Sequence, residues 1–123
     1  VQKEHRLAKR EDFNRVYRRG KSAANLQFVL YYLPQKESGP FRLGVSVSKK
    51  LGNAVVRNGI RRRMKEIIRL GGEDLLPGLD IVIIARKPVA EMDYEEMKKS
   101  LYHVMKRSGV LKEKKRNQSS ARP

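Results

Sequence analysis

The chain contains no cysteine and no tryptophan, and its acids are outnumbered, 13 Asp+Glu against 29 Lys+Arg. Without a thiol there are no disulfides, no Cys-ligated zinc and no cysteine nucleophile, a composition that agrees with a cytoplasmic protein. No stretch is apolar for long enough to span a bilayer, and no apolar run follows a basic start. Neither a membrane anchor nor a secretion signal is therefore expected. Histidine is scarce too: His5 lies in a polar N-terminal stretch and His103 among Lys and Tyr residues, neither with a partner at ligand or acid–base spacing. Asp93, Glu95 and Glu96 cluster, but at the start of a helical pattern, where they offset the helix dipole. No glycine loop has phosphate-loop spacing. The sequence thus offers no protein-borne hydrolytic or metal site, which counts against a protein nuclease.

Positive charge is what the chain has in excess. A formal net charge of +16 over 123 residues, the length of one domain, works against a compact monomer and favours a polyanionic partner. Nucleic acid is the first candidate. A membrane surface is the second, but the basic helix described next lacks the aromatic and leucine face of an interfacial anchor.

The charge concentrates between Asn53 and Leu70, NAVVRNGIRRRMKEIIRL. At helical spacing, Val56, Ile60, Met64 and Ile67 share one side, with Ile68 at its edge. Asn58, Arg61, Arg62, Lys65 and Arg69 form a neighbouring stripe, with Arg57 at the boundary and Arg63 projecting elsewhere. Asn53 fits an N-cap, and Gly71-Gly72 is expected to stop the helix. A solvated face normally mixes signs, because like charges at i, i+4 repel. Here one acid, Glu66, is expected to point away from the stripe. The pattern favours phosphate binding over mere solubility.

In chain order, a polar arm precedes a short helix at Arg10–Arg19, with Phe13, Val16 and Tyr17 on one side and Gly20 as its stop. Lys21 to Asn25 is a connection or a short edge strand. Leu26 to Tyr32 alternates: Phe28, Leu30 and Tyr32 face one way, Gln27, Val29 and Tyr31 the other. A turn containing Gly39 leads to a strand at Phe41–Ser48 with Leu43, Val45 and Val47 on one face and Gly44, Ser46 and Ser48 on the other. Lys49 and Lys50 lead into the basic helix. Asp80 to Ala85, DIVIIA, reads as a central strand buried on both sides. Asp93 to Lys106 is a capped amphipathic helix with Tyr94, Met97, Leu101, Val104 and Met105 as its core stripe. The result is an α-β-β-α-β-α sandwich, a single α/β domain over 1–108 with a flexible arm at 1–6 and a basic, disordered tail at 109–123.

The small side chains at Gly44, Ser46 and Ser48, beside Val29 and Tyr31, suggest a shallow floor that a ligand backbone can approach, with Phe13 as a wall. Aromatics beside small polar groups suit single-stranded RNA. Phe13 can equally be a core residue, whereas Tyr31 leans towards exposure, because its strand neighbours across the pleat look like the core side.

Three segments together resemble the protein subunit of bacterial ribonuclease P: EDFNRVYRRGKS (Glu11 to Ser22), FRLGVSVSKKLGNAVVRNGIRRRMKE (Phe41 to Glu66) and DIVIIARK (Asp80 to Lys87). The run Gly52-Asn53-Ala54-Val55-Val56-Arg57-Asn58, followed by Arg61-Arg62, is the specific part. Gly59 and Lys65 depart from the pattern, which favours a basic residue and an Arg there. The resemblance implies an RNA-catalysed removal of the 5′ leader from precursor tRNA. The catalytic RNA would be bound by Arg57, Asn58, Arg61, Arg62, Lys65 and Arg69 with Lys49 and Lys50. The leader would lie in a cleft of Phe13, Tyr17, Val29, Tyr31, Ser46 and Ser48. The loop Gly71 to Leu79 would reach a distant part of the RNA. Magnesium would be held by the RNA subunit, with one protein per RNA and higher association allowed. The family's fold adds a left-handed crossover through the basic helix, resembling the second domain of the fifth small-subunit ribosomal protein. The alternative function is a non-catalytic RNA-binding protein, ribosomal or chaperone-like.

Overall fold

The computed structural model describes residues 6–7, 9–35, 39–71 and 74–112. Along these run α1 (Arg10–Arg19), β1 (Lys21–Ala24), β2 (Phe28–Pro34), β3 (Arg42–Val47), α2 (Ala54–Leu70), β4 (Leu79–Ala85) and α3 (Tyr94–Ser108), with 3-10 turns at Lys49–Leu51 and Lys87–Glu91. The sheet order is β1-β2-β4-β3, antiparallel except for the parallel pair β3–β4. The mixed α/β sandwich expected from the sequence is present, with the stretch from Lys21 resolved as an edge strand. Because β3 and β4 are parallel neighbours, α2 is the crossover of a βαβ unit.

Alternation along the strands divides the molecule. Phe28 and Leu30, Leu43 and Val47, and Ile81, Ile83 and Ala85 point to one face. Helices α2 and α3 cover it with Ile60, Met64, Ile67 and Ile68 and with Met97, Leu101, Val104 and Met105. The other face carries α1 alone, over a cluster of three buried residues, Leu7, Val16 and Val82. Full burial of such a side chain contributes about 1.5–3 kcal/mol, so the face with twenty buried apolar residues is held far more firmly than the face with three.

Both long helices start where the sequence says. The Asn53 side chain accepts from the Val56 N–H at 3.0 Å. Asp93 and Glu96 close a reciprocal capping box at 2.8 and 2.9 Å. Such caps are typically worth about 1 kcal/mol each.

On the α1 face, Asp80 is fully buried. Register places it between Leu33 of β2 and Arg42 of β3. Arg42 grips it with two parallel bonds, Nε to Oδ1 at 2.8 Å and Nη2 to Oδ2 at 2.7 Å. Arg15 Nη2, from α1, donates to the same Oδ2. A buried carboxylate is tolerated when paired in this way. Its hydrogen bond also raises the Arg42 pKa further above an already high value. Arg15 Nε is buried without a partner among the described residues, at a cost of about 1–3 kcal/mol.

Several expectations need correction. Strand β2 begins at Phe28, because Asn25 Oδ1 accepts from the Gln27 and Phe28 amides and makes residues 25–28 a tight hairpin turn. Gln27 therefore leaves the Val29–Tyr31 face and accepts from Ser100 of α3. Val56 is 40% exposed and Val55 80%, since the first turn of α2 precedes the part that meets the core. Val56 instead packs on Gly52, whose φ of 147° favours glycine and whose Cβ would come within 2.9 Å of the valine. Gly71 ends α2 without a left-handed cap (φ −98°). A Cβ there would meet the Tyr102 hydroxyl, so that side chain would have to shift. Val110 is fully buried and Leu111 bridges to Leu75, so the packed chain runs past the Ser108 boundary. Arg6, assigned to the arm, forms a bridge with Leu43. The remainder of the arm, 1–5, and of the tail, 113–123, lies outside the described residues.

Candidate nucleic-acid interface

Helix α2 presents its cations in one array. Asn58, Arg61, Arg62 and Lys65 line a shallow hollow of about 400 Å³. Arg61 is oriented by a 2.6 Å bond from Nη1 to Asn58 Oδ1. Arg57, half-buried as its boundary position implies, donates from Nε to the Gly52 carbonyl at 3.1 Å. Arg62 is exposed, and Arg63 lies over Gly59, 3.5 Å from where a Cβ would stand. Lys49 and Lys50 extend the array N-terminally, exposed on the 3-10 turn.

Glu66 does not point away. It joins the same hollow and binds Arg69 in a 2.8 Å ion pair, because i, i+3 spacing stacks the two side chains. Each partner shifts the other: the hydrogen bond lowers the Glu66 pKa and raises that of Arg69. Arg69 is thus partly neutralised, while Arg62 and Lys65 form no ion pair with an acid among the described residues.

The second surface lies where α1 leaves the sheet uncovered. The Phe13 ring rests on Gly44, and a Cβ there would come within 2.9 Å of Phe13 Cε1. Phe13 meets Tyr17 edge-on at 6.3 Å, and Tyr17 meets Tyr31 edge-on at 5.1 Å. Ser46 lies beside the Tyr17 phenol as a hydrogen-bond partner. The phenol pKa is pushed up by burial, which outweighs the lowering by Ser46, with Tyr31 adding to the rise. The two readings of Phe13 and Tyr31 merge: both are half-buried, packed on the sheet at one edge and open at the other. Cross-strand register sets Val29, Ile84 and Ser46 in a row, each partly exposed, as the floor. Ser48 stands one residue beyond β3 and caps the following 3-10 turn by accepting from the Lys50 N–H at 3.3 Å.

Ile84 and the Asp80 ion group were not anticipated. DIVIIA reads as buried on both sides, and only the register shows that Ile84 faces the gap beside α1. The available signal for Asp80 was a lone acid opening an apolar run in a strongly basic chain.

Asp80 is engaged by two guanidiniums and Glu66 by Arg69. Among the described residues no three His, Cys, Asp or Glu side chains group as metal ligands. No described helix is long and apolar enough to cross a membrane.

Fold and site together define a small basic α/β protein with a cation-lined helix on one side of its sheet and an aromatic-walled cleft on the other. The family model Ribonuclease P matches residues 1–109. A ribonuclease P protein component of Bacillus cereus is 54% identical over 115 residues, covering 94% of this chain and all of its own length. One from Bacillus anthracis is 53% identical over 122 residues and 99% of each chain. The solved structure of the Staphylococcus aureus RNase P protein superposes with a TM-score of 0.83 at 46% identity, covering 88% of this chain and 98% of that one. The chain belongs to the family of ribonuclease P protein components, which serve an enzyme of tRNA processing. The resemblance carried by Gly52 to Asn58 and Arg61-Arg62 is borne out.

Proposed function

We propose that this chain is the protein subunit of a ribonuclease P ribonucleoprotein and assists its catalytic RNA in endonucleolytic removal of the 5′ leader from precursor tRNA. The observation that carries this reading is the pairing of two surfaces in a chain of this family: the cation array of α2 and the aromatic cleft under α1. Phosphates bind to such an array by charge and by forked guanidinium contacts, and release counterions as they do so. We assign the catalytic RNA to Arg57, Asn58, Arg61, Arg62 and Lys65, with Lys49 and Lys50 extending the contact. Arg69 contributes less because Glu66 already engages it.

The leader lies in the cleft, stacking a base on the open edges of Phe13, Tyr17 and Tyr31 above Val29, Ile84 and Ser46. Such stacking tolerates any base. Magnesium is assigned to RNA phosphates, and no cleavage step is routed through the protein. Its role is to hold two polyanions together at reduced repulsion, one protein per RNA, in the cytoplasm.

The test is cleavage of precursor tRNA by a bacterial ribonuclease P RNA at low magnesium, with and without this chain. Faster cleavage at the correct 5′ position is expected. RNA binding without faster cleavage would instead point to a structural RNA-binding protein, and cleavage without the RNA to a protein nuclease.

A further inference from the structure

Asp80 ties three elements together. Its carboxylate, on β4, is gripped by Arg42 of β3 and met by Arg15 of α1, and Asp12 of α1 stands 3.6 Å from the same Arg15 Nη2. Two acids and two guanidiniums make a neutral group at one edge of α1. Helical geometry puts Asp12 and Arg15 on one flank, Phe13 and Tyr17 on the other, and Val16 between them towards the sheet. The aliphatic cluster of Leu7, Val16 and Val82, with Phe13 and Tyr17 packed against it, holds α1 against the sheet. Such burial is non-directional and does not fix how the helix is rolled about its axis. Forked charge-assisted bonds are directional. A roll of α1 would lift Phe13 off Gly44 and part Tyr17 from Ser46.

We propose that Asp80 is a positioning residue: through Arg15 it fixes the roll of α1, and so sets the gap between the Phe13–Tyr17 wall and the Val29–Ile84–Ser46 floor in which a single-stranded leader is held. The inference rests on the leader cleft of the proposed function and adds what shapes it. Neither Asp80 nor Arg15 touches the leader.

The test uses the full chain bound to a bacterial ribonuclease P RNA. It compares affinity for a leader-bearing precursor tRNA with affinity for the same tRNA lacking its leader. Arg15→Gln cuts the tie but leaves the Arg42–Asp80 fork intact, Arg15→Lys restores the charge, and Phe13→Ala removes the wall itself. Asp80→Asn is the direct variant; where it fails to fold, Arg15→Gln carries the test alone. Arg15→Gln is expected to unfold cooperatively, to bind the catalytic RNA within about twofold of the parent, and to lose about 5-fold or more of the preference for the leader. Arg15→Lys should regain most of that loss. Arg15→Gln combined with Phe13→Ala should be little worse than Phe13→Ala alone, because both act on one wall. Three results overturn the proposal: a full leader preference in Arg15→Gln beside a lost one in Phe13→Ala, an equal fall in affinity for every RNA, or a salt slope lower by about one unit, which marks Arg15 as a phosphate contact. If Phe13→Ala also keeps the full preference, the leader cleft itself is wrong and the positioning role falls with it.

Discussion

Phe13 occupies the space that a side chain on Gly44 would need, and its Cε1 lies within 2.9 Å of where that Cβ would stand. Gly44→Ala should therefore displace the ring, at a cost of about 1–3 kcal/mol in stability. Leader preference should fall with it. In a Phe13→Ala background the same substitution should cost much less, and a double-mutant cycle of thermal unfolding measures the difference.

Gly59 is buried in α2, yet a Cβ there meets only Arg63 Nη1, at an ordinary 3.5 Å. Its absence of a side chain is not required by packing. Gly59→Ala should stabilise the protein by about 1 kcal/mol through helix propensity. Calorimetry should register a rise of several degrees in Tm, with affinity for the catalytic RNA retained.

The α2 cations should separate by their surroundings. Arg62, exposed and without an acidic partner among the described residues, should behave as a phosphate contact: Arg62→Ala weakens RNA binding and lowers the salt slope by about one unit. Arg63, turned over Gly59, should leave that slope unchanged when replaced by Ala. Asn58→Ala removes the bond that aims Arg61, so affinity should fall while the slope stays. Filter binding across a salt series distinguishes the three, and equal slopes for all would mean that only total charge counts.

Tyr17 should be a late-titrating phenol. Its pKa is raised from the ordinary 10.0 chiefly by burial, so the folded state holds the proton more tightly than the unfolded chain does. The corresponding stabilisation is complete below pH 10 and is lost as pH rises from there through the folded value. Ultraviolet titration of phenolate should show a late step that Tyr17→Phe removes.

The sequence discloses what is encoded locally. Asn53 and Asp93 mark their helices because a cap is a bond between residues three apart. Phe28, Leu30, Leu43 and Val47 announce their face by alternation. Val56 shows the limit of periodicity, which gives the direction a side chain points but not where the opposing surface ends. Gln27 shows another: alternation cannot see that an Asn side chain has already closed the hairpin. The Asp80 group was out of reach, since its partners stand 38 and 65 positions away and meet it only once β3–β4 pairing and the docking of α1 are known. For the cleft, Phe13, Tyr17, Val29, Tyr31 and Ser46 were legible as a set, and Ile84 was not, for the same reason.

The sheet closes one face with two helices and the other with one, and this sets an order of opening. Free energies of local opening in a fold range from near zero up to the global value. Helix α1, resting on Leu7, Val16, Val82 and one shared carboxylate, belongs at the lower end, well below α2 and α3. The wall of the cleft is then expected to open before the core under α2 and α3. Linkage makes the consequence reciprocal. A strand seated against Phe13 and Tyr17 would hold the N-terminal helix down and protect its amides from exchange. Whatever steadies that helix beforehand would, by the same free energy, tighten the hold on the strand.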